Sequence, residues 1–202
     1  MPPIRRRTFA AGLGTAALGT TALLAGCTTP PPRGFPQIGF EDRPPIALDV
    51  ADVQVVQQYQ PSSAPPNVET RMPDRPGEIV ARWAATRLAS AGTAGTAQVI
   101  VEEASVVEEA LARTGGVRGV FTLDQSERYT LTLAVRIEAE NPARGLSGFV
   151  RSVAQRSITV AENASLARRE EEWFRLLEET ARDLDRQLEQ NLRANLSALV
   201  VR

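Results

Sequence analysis

The sequence contains no histidine and no lysine. Every basic residue in its 202 positions is arginine, and cysteine occurs once, at Cys27. These absences remove whole reaction classes. Ser-His-Asp triads and Cys-His pairs need an imidazole. Thiolate zinc sites and His-ligated metals lack their ligands. A P-loop lacks its lysine, and Schiff-base chemistry lacks its amine. One cysteine cannot staple the fold, so stability must come from an ordinary core. Aromatics are only 5% of the chain, which argues against an aromatic-lined sugar cleft. The net charge is −1, and losing Arg5, Arg6 and Arg7 would make the remainder more acidic. Such a body lacks the basic face that nucleic-acid binding requires. No cofactor and no metal are expected.

One enzyme class survives these exclusions: a pair of carboxylates working as acid and base, as in glycosidases. The candidates are Glu102, Glu103, Glu108, Glu109, Asp124 and Glu127. Most are adjacent pairs beside apolar strand residues. Neighbours on a strand point to opposite faces, which suits a solvated edge better than a cleft. The expectation is that the protein is not an enzyme and has no catalytic residue.

What is present begins at the N-terminus. Arg5, Arg6 and Arg7 precede an apolar run from Phe9 to Leu24, which closes on Leu24-Ala25-Gly26-Cys27. A positive start, an apolar centre and small residues before a cut form an export signal. The last four residues resemble the lipobox of bacterial lipoproteins, matching it at every position. The resemblance implies cleavage between Gly26 and Cys27, with Cys27 then carrying a diacylglycerol on sulfur and an acyl chain on its amine. Several chains on one residue make a durable anchor, at roughly 0.8 kcal/mol per buried methylene. Arg6-Arg7-Thr8-Phe9 resembles part of a twin-arginine export motif, whose remainder is missing, so both export routes stay open. Thr28 rather than Asp after the anchor leans toward the outer membrane, with the inner membrane as the alternative.

Three regions follow: a signal at 1–26, a tether at 27–45 and one domain at 46–202. The tether is rich in Pro and Gly and reads as extended chain. Ile46 to Tyr59 is a strand whose apolar parity switches near Ala51-Asp52, predicting a bulge or bend. Asp74 and Pro76 open a helix with Ile79, Val80, Trp83, Ala84, Leu88 and Ala91 on one stripe, ending at Gly92. Val99 to Val107 is a strand with apolar residues on both faces. Tyr129, Leu131, Leu133, Val135, Ile137 and Ala139 alternate with polar residues, giving a strand with one dry face. Phe149 to Val160 returns antiparallel.

The last element is a helix from about Ser165 to Val200. Trp173, Leu177, Ala181, Leu184, Leu188, Leu192, Leu196 and Leu199 form its stripe. Arg168, Arg169, Glu170, Glu171, Arg182, Asp185, Arg186 and Glu189 fall mainly off it and read as a solvated face. At about 50 Å this helix would outrun a sheet of about 40 Å. Its far end, Leu192, Leu196, Leu199 and Val200, is therefore a candidate partner contact, unless the helix kinks or stops early.

The expected fold is α+β, a two-layer β-α-β-β-β-α sandwich. Its sheet is mostly antiparallel with two helices on one face, the C-terminal one long. This order, carried by the Tyr129–Ala139 strand and the charged, Leu-striped final helix, is similar to two families of Gram-negative lipoproteins. One is the lipopolysaccharide-assembly lipoprotein that plugs an outer-membrane barrel. The other is the auxiliary lipoprotein of envelope lipid-transport systems. The resemblance implies a non-enzymatic accessory subunit of an envelope complex, anchored in the outer membrane and facing the periplasm. A stand-alone periplasmic domain binding lipid or a small molecule is the alternative, and a carboxylate cell-wall hydrolase a second.

Overall fold

In the computed structural model, the structure describes residues 34–111, 125–161 and 163–201. The signal, Gly26, Cys27, the first part of the tether and Asp124 lie outside the described residues. Three long strands form an antiparallel meander: β4 (Thr96–Ala110), β5 (Gln125–Asn141) and β6 (Leu146–Ala161). A short strand, β2 (Asp52–Gln57), joins parallel to β4, giving the sheet order β2-β4-β5-β6. β1 (Ile46–Leu48) and β3 (Leu88–Ser90) form a separate parallel pair. Helices α1 (Pro76–Arg87) and α2 (Leu166–Asn195) pack on one face of the larger sheet. The α+β architecture with a long C-terminal helix is as the sequence predicts.

The alternation in β5 is what builds the core. Tyr129, Leu131, Leu133, Val135 and Ile137 are all fully buried beneath the helices, while Thr130, Thr132, Arg136 and Glu138 face outward. The double-faced pattern of β4 has a different cause. Val101 opposes Val135 and Glu103 opposes Ala134, so Glu102 is an inserted residue. A bulge of one residue flips the parity of everything after it. Val99 and Val101 before the bulge, and Ala104 and Val106 after it, therefore all reach the same core.

The predicted strand from Ile46 to Tyr59 is divided between two sheets. Its break follows the parity switch, and the Ala51 amide donates to the Gly95 carbonyl at 3.0 Å. Gly95 has φ +86°, and a Cβ there would meet the Glu140 carbonyl at 2.0 Å, so only glycine fits this approach. The first helix is capped one residue later than expected, at Arg75, because Asp74 is used elsewhere. It accepts from the Ile38 amide at 3.2 Å and pairs with Arg82. The helix ends at Arg87 rather than Gly92, since Leu88–Ser90 leaves it to pair with β1.

The C-terminus corrects the expectation of an overhanging helix. Ser165 caps α2, accepting from the Arg168 amide at 3.2 Å. The helix has 30 residues, about 45 Å. β5 has 17 residues, about 55 Å, so the sheet outruns the helix. At Leu196 the backbone turns out of the helix (φ −120°, ψ 28°), and the chain folds back onto β1. Asp49 N–H donates to the Leu199 carbonyl and Val201 N–H to the Ala47 carbonyl, each at 2.8 Å. Leu192, Leu196 and Leu199 are buried, and Val200 bridges to Leu48 with only part of its surface exposed. These four residues are thus core and closure, not a partner surface. Burying them removes apolar area that an overhang would leave in water.

Packing also begins ahead of Ile46. Ile38 and Phe40 are buried in the core, and Phe35 stacks on Phe174 with ring centres 5.1 Å apart. Arg182 of α2 pairs with Asp42 at 2.9 Å.

Candidate functional site

The β4–β5 end of the sheet collects the polar residues with the most chemistry. Tyr129 is the one residue of the β5 stripe with a polar tip, and a buried phenol needs a partner for that tip. It finds two. Its hydroxyl lies 2.7 Å from Glu127 Oε2 and 3.0 Å from Glu108 Oε1. A hydroxyl has one proton, so it can donate to only one carboxylate at a time. Each carboxylate has an arginine of its own. Arg71 reaches Glu108 at 2.6 Å, and Arg169 reaches Glu127 at 2.9 Å. Burial raises the Tyr129 hydroxyl pKa above its ordinary value, and the two carboxylates add to the shift. The phenol therefore stays protonated as a donor.

An aromatic wall backs this cluster. Trp173 meets Tyr129 edge-on at 5.3 Å, and the Arg71 guanidinium sits 5.9 Å over the indole. Trp173 Nε1 and Arg169 Nε are buried donors with no partner among the described residues. Along its open side runs a groove of about 360 Å³, walled by Pro65, Pro66, Val68, Arg71, Glu108 and Glu127.

Glu69 organises the wall of this groove. It sits in a 3-10 turn (Glu69–Arg71) and is itself buried. It accepts from the Tyr59 hydroxyl and the Ser62 amide, each at 2.7 Å, from Asn67 at 3.3 Å and from the Val106 amide at 3.4 Å. Burial alone would raise its pKa, but these hydrogen bonds outweigh it and hold the carboxyl below its usual range. The loop 59–69 is thereby fixed around one carboxylate.

Of the nominated carboxylates within the described residues, the fold brings Glu108 and Glu127 together and disperses Glu102, Glu103 and Glu109. Glu102 pairs with Arg151 across the outer face at 2.6 Å. Glu103 accepts from Ser105 at 2.6 Å, and Glu109 lies 3.4 Å from Arg128. The two that converge are each engaged by an arginine and by the shared hydroxyl. That arrangement suits recognition of a polar group better than release of a proton. Sequence reasoning passed over Arg71 and placed Arg169 on a solvated face. The available signal was Tyr129, whose hydroxyl at a strand end calls for acceptors.

No family model matches the sequence, and no curated protein matches it. Solved structures do. Rare lipoprotein B from Shewanella oneidensis is similar at 14% identity and TM-score 0.39, covering 73% of this chain and 98% of its own. A candidate lipoprotein from Caulobacter crescentus is similar at 14% identity and TM-score 0.33, covering 67% and 86%. The PelC dodecamer subunit from Paraburkholderia phytofirmans is similar at 15% identity and TM-score 0.26, covering 71% and 94%. No residue role transfers at these identities.

A second polar cluster is closed where the first is open. Asp185 on α2 accepts from Trp83 Nε1 and Arg87 Nε, both at 2.8 Å, and from Arg43 at 2.7 Å. Glu189, one turn on, accepts from Arg87 at 2.6 Å and Arg43 at 2.5 Å. Arg87 is 0% exposed and Asp185 1%. Asp185 and Glu189 were expected on a solvated face; α1 and the 35–43 segment cover them instead. Among the described residues no helix is long and apolar enough to cross a membrane.

Proposed function

We propose that this chain is a non-enzymatic, lipid-anchored accessory lipoprotein of the bacterial envelope. Its domain binds a partner protein of an outer-membrane assembly or lipid-transport complex, with Cys27 as the anchor. One observation carries the binding role: the space between sheet and helices is filled. Trp83, Tyr129, Leu131, Leu133, Leu177 and Leu188 meet there, each fully buried. Large side chains buried together in this way form a close-packed interior, which supports a role on the surface over a ligand held between the layers. The domain's function therefore lies on the surface, where the Arg71–Glu108–Glu127 groove offers a built polar contact. Both carboxylates of that groove are tied into ion pairs, which supports binding over hydrolysis.

Fractionation of wild type and Cys27→Ser, with mass spectrometry of the mature N-terminus, tests the anchor. The wild type should need detergent for release and carry acyl mass on Cys27. Soluble wild-type protein with a free thiol would overturn the anchor. A photo-crosslinker at Thr70, on the rim of the groove, tests the binding role. A discrete adduct with one envelope protein is expected, and recovery of the monomer alone would remove this reading.

A further inference from the structure

The two edges of the four-stranded sheet are built differently. β2 is six residues long and includes Asp52. β6 is 16 residues long, contains no proline and carries no acidic residue; its only charges are Arg151 and Arg156. Among the described residues its sole strand partner is β5. Natural sheets keep edges short, or break them with charge, proline or bulges, because an open edge is a template for another strand.

Three details make this edge specific. The Arg151 carbonyl accepts from Asn191 of α2 at 3.4 Å, so it points away from β5. Strand alternation then turns the backbone groups of Val153, Gln155 and Ser157 outward as well. Arg151 lies directly opposite Arg136 on the outer face. Like charges in direct opposition destabilise a sheet. Arg136 leans on Glu138 at 2.6 Å and over the Phe149 ring at 3.9 Å, and Arg151 reaches across to Glu102. Both guanidiniums stay partly exposed. Beside them stand the exposed apolar side chains Phe149 and Val153, 55% and 41% accessible.

We propose that the edge of β6 beyond Arg151, at Val153, Gln155 and Ser157, receives an extended segment of a partner protein, added as a fifth strand. The segment places a carboxylate against Arg151 and apolar side chains against Phe149 and Val153. Main-chain bonds supply the affinity, and the alternating side chains supply the specificity. The proposal rests on the partner-binding reading above and adds a second contact to the groove. Crosslinking from the groove but not from β6 would spare that reading and remove this one.

The test uses full-length mature protein in detergent micelles and two synthetic peptides, one of alternating valine and glutamate, one of alternating valine and lysine. Amide hydrogen exchange is followed residue by residue. With the glutamate peptide at about ten times its Kd, exchange at Val153, Gln155 and Ser157 should slow about tenfold. The lysine peptide should leave these amides unchanged. Arg151→Glu should reverse the preference, and Gln155→Pro, which removes an outward N–H, should abolish protection in both cases. Equal effects of the two peptides, no protection by either, or protection confined to β2 would overturn the proposal. Protection that grows with protein concentration alone would assign the edge to a second copy of the chain, and would overturn it too.

Discussion

Helix α2 contributes to two arginine–carboxylate clusters, and they differ in what covers them. Around Asp185, the carboxylate of α2 and Arg87 of α1 are sealed between the two helices, with Trp83 donating from the core and Arg43 from the 35–43 segment. Around Tyr129, the carboxylates Glu108 and Glu127 keep part of their surface, and a groove runs past them. The chemistry is nearly the same: arginines, two carboxylates and an aromatic donor. Solvent access separates them. A sealed pair adds specificity to the packing of three segments and cannot meet a ligand. An open pair contributes less to stability and can be read by one.

The sealed cluster should dominate stability. Asp185→Ala removes the acceptor of Arg87 Nε and Trp83 Nε1 and leaves the buried guanidinium with Glu189 alone; removing one partner of a buried pair costs about 3–5 kcal/mol. Urea denaturation followed by circular dichroism measures this. A loss near that of a surface residue would mean that water reaches Arg87, and the contrast between the clusters would collapse.

The pH dependence comes next. Burial pushes the Asp185 carboxyl up, but the hydrogen bonds from Arg87 and Trp83 and the charges of Arg87 and Arg43 hold it below its usual range. Glu69 is lowered as well. The unfolded chain therefore binds protons at these groups more readily than the native one. Their stabilisation is present above the unfolded values, near pH 4, and is lost as pH falls through the lower folded values. Urea midpoints measured from pH 7 down to pH 2 should drop in that window. Asp185→Asn should show a shallower drop than wild type, and an unchanged slope would show that Asp185 does not titrate differently on folding.

How much of this was legible in the sequence depends on which interaction decided each element. The Tyr129–Ala139 alternation needed only the period of a strand, and it fixed the sheet's dry face. Glu102 was illegible because a bulge hides as apolar residues of both parities. The end of α2 was misjudged because the Leu stripe continues through Leu196 and Leu199 while the backbone leaves the helix. Burial against β1 satisfies the same side chains in a different geometry. Asp185 looked like one more member of a charge run. Its distinguishing feature is the surroundings, Trp83 and Arg87 from a helix about a hundred positions away, and no local pattern reports that. The candidate groove was half legible: Glu108 and Glu127 stood among the nominated carboxylates, but Arg71 and Arg169 could be assigned only once β4, β5 and α2 were placed together.

Glu69→Ala should have an intermediate effect. It removes one acceptor for several donors, among them the buried Val106 amide. Hydrogen bonds to a charged group contribute more than neutral ones, so a loss of about 2–3 kcal/mol is expected. Limited proteolysis should then cut within 59–69, while the rest of the domain remains resistant. Cleavage elsewhere first would mean that Glu69 supports the whole sheet rather than one wall of the groove.

The smallest effect should come from Tyr129→Phe. The ring keeps its place in the core and its edge contact with Trp173, and only the hydroxyl is lost. Glu108 and Glu127 retain Arg71 and Arg169 and remain in reach of water. The expected cost is about 1 kcal/mol, the net value of an ordinary hydrogen bond. Binding should respond more than folding: the adduct formed from Thr70 should weaken, because the hydroxyl that spaces the two carboxylates is gone. If Tyr129→Phe instead destabilised the domain as much as Asp185→Ala, the Tyr129 cluster would be a second sealed network. The groove would then be only the outside of a structural joint.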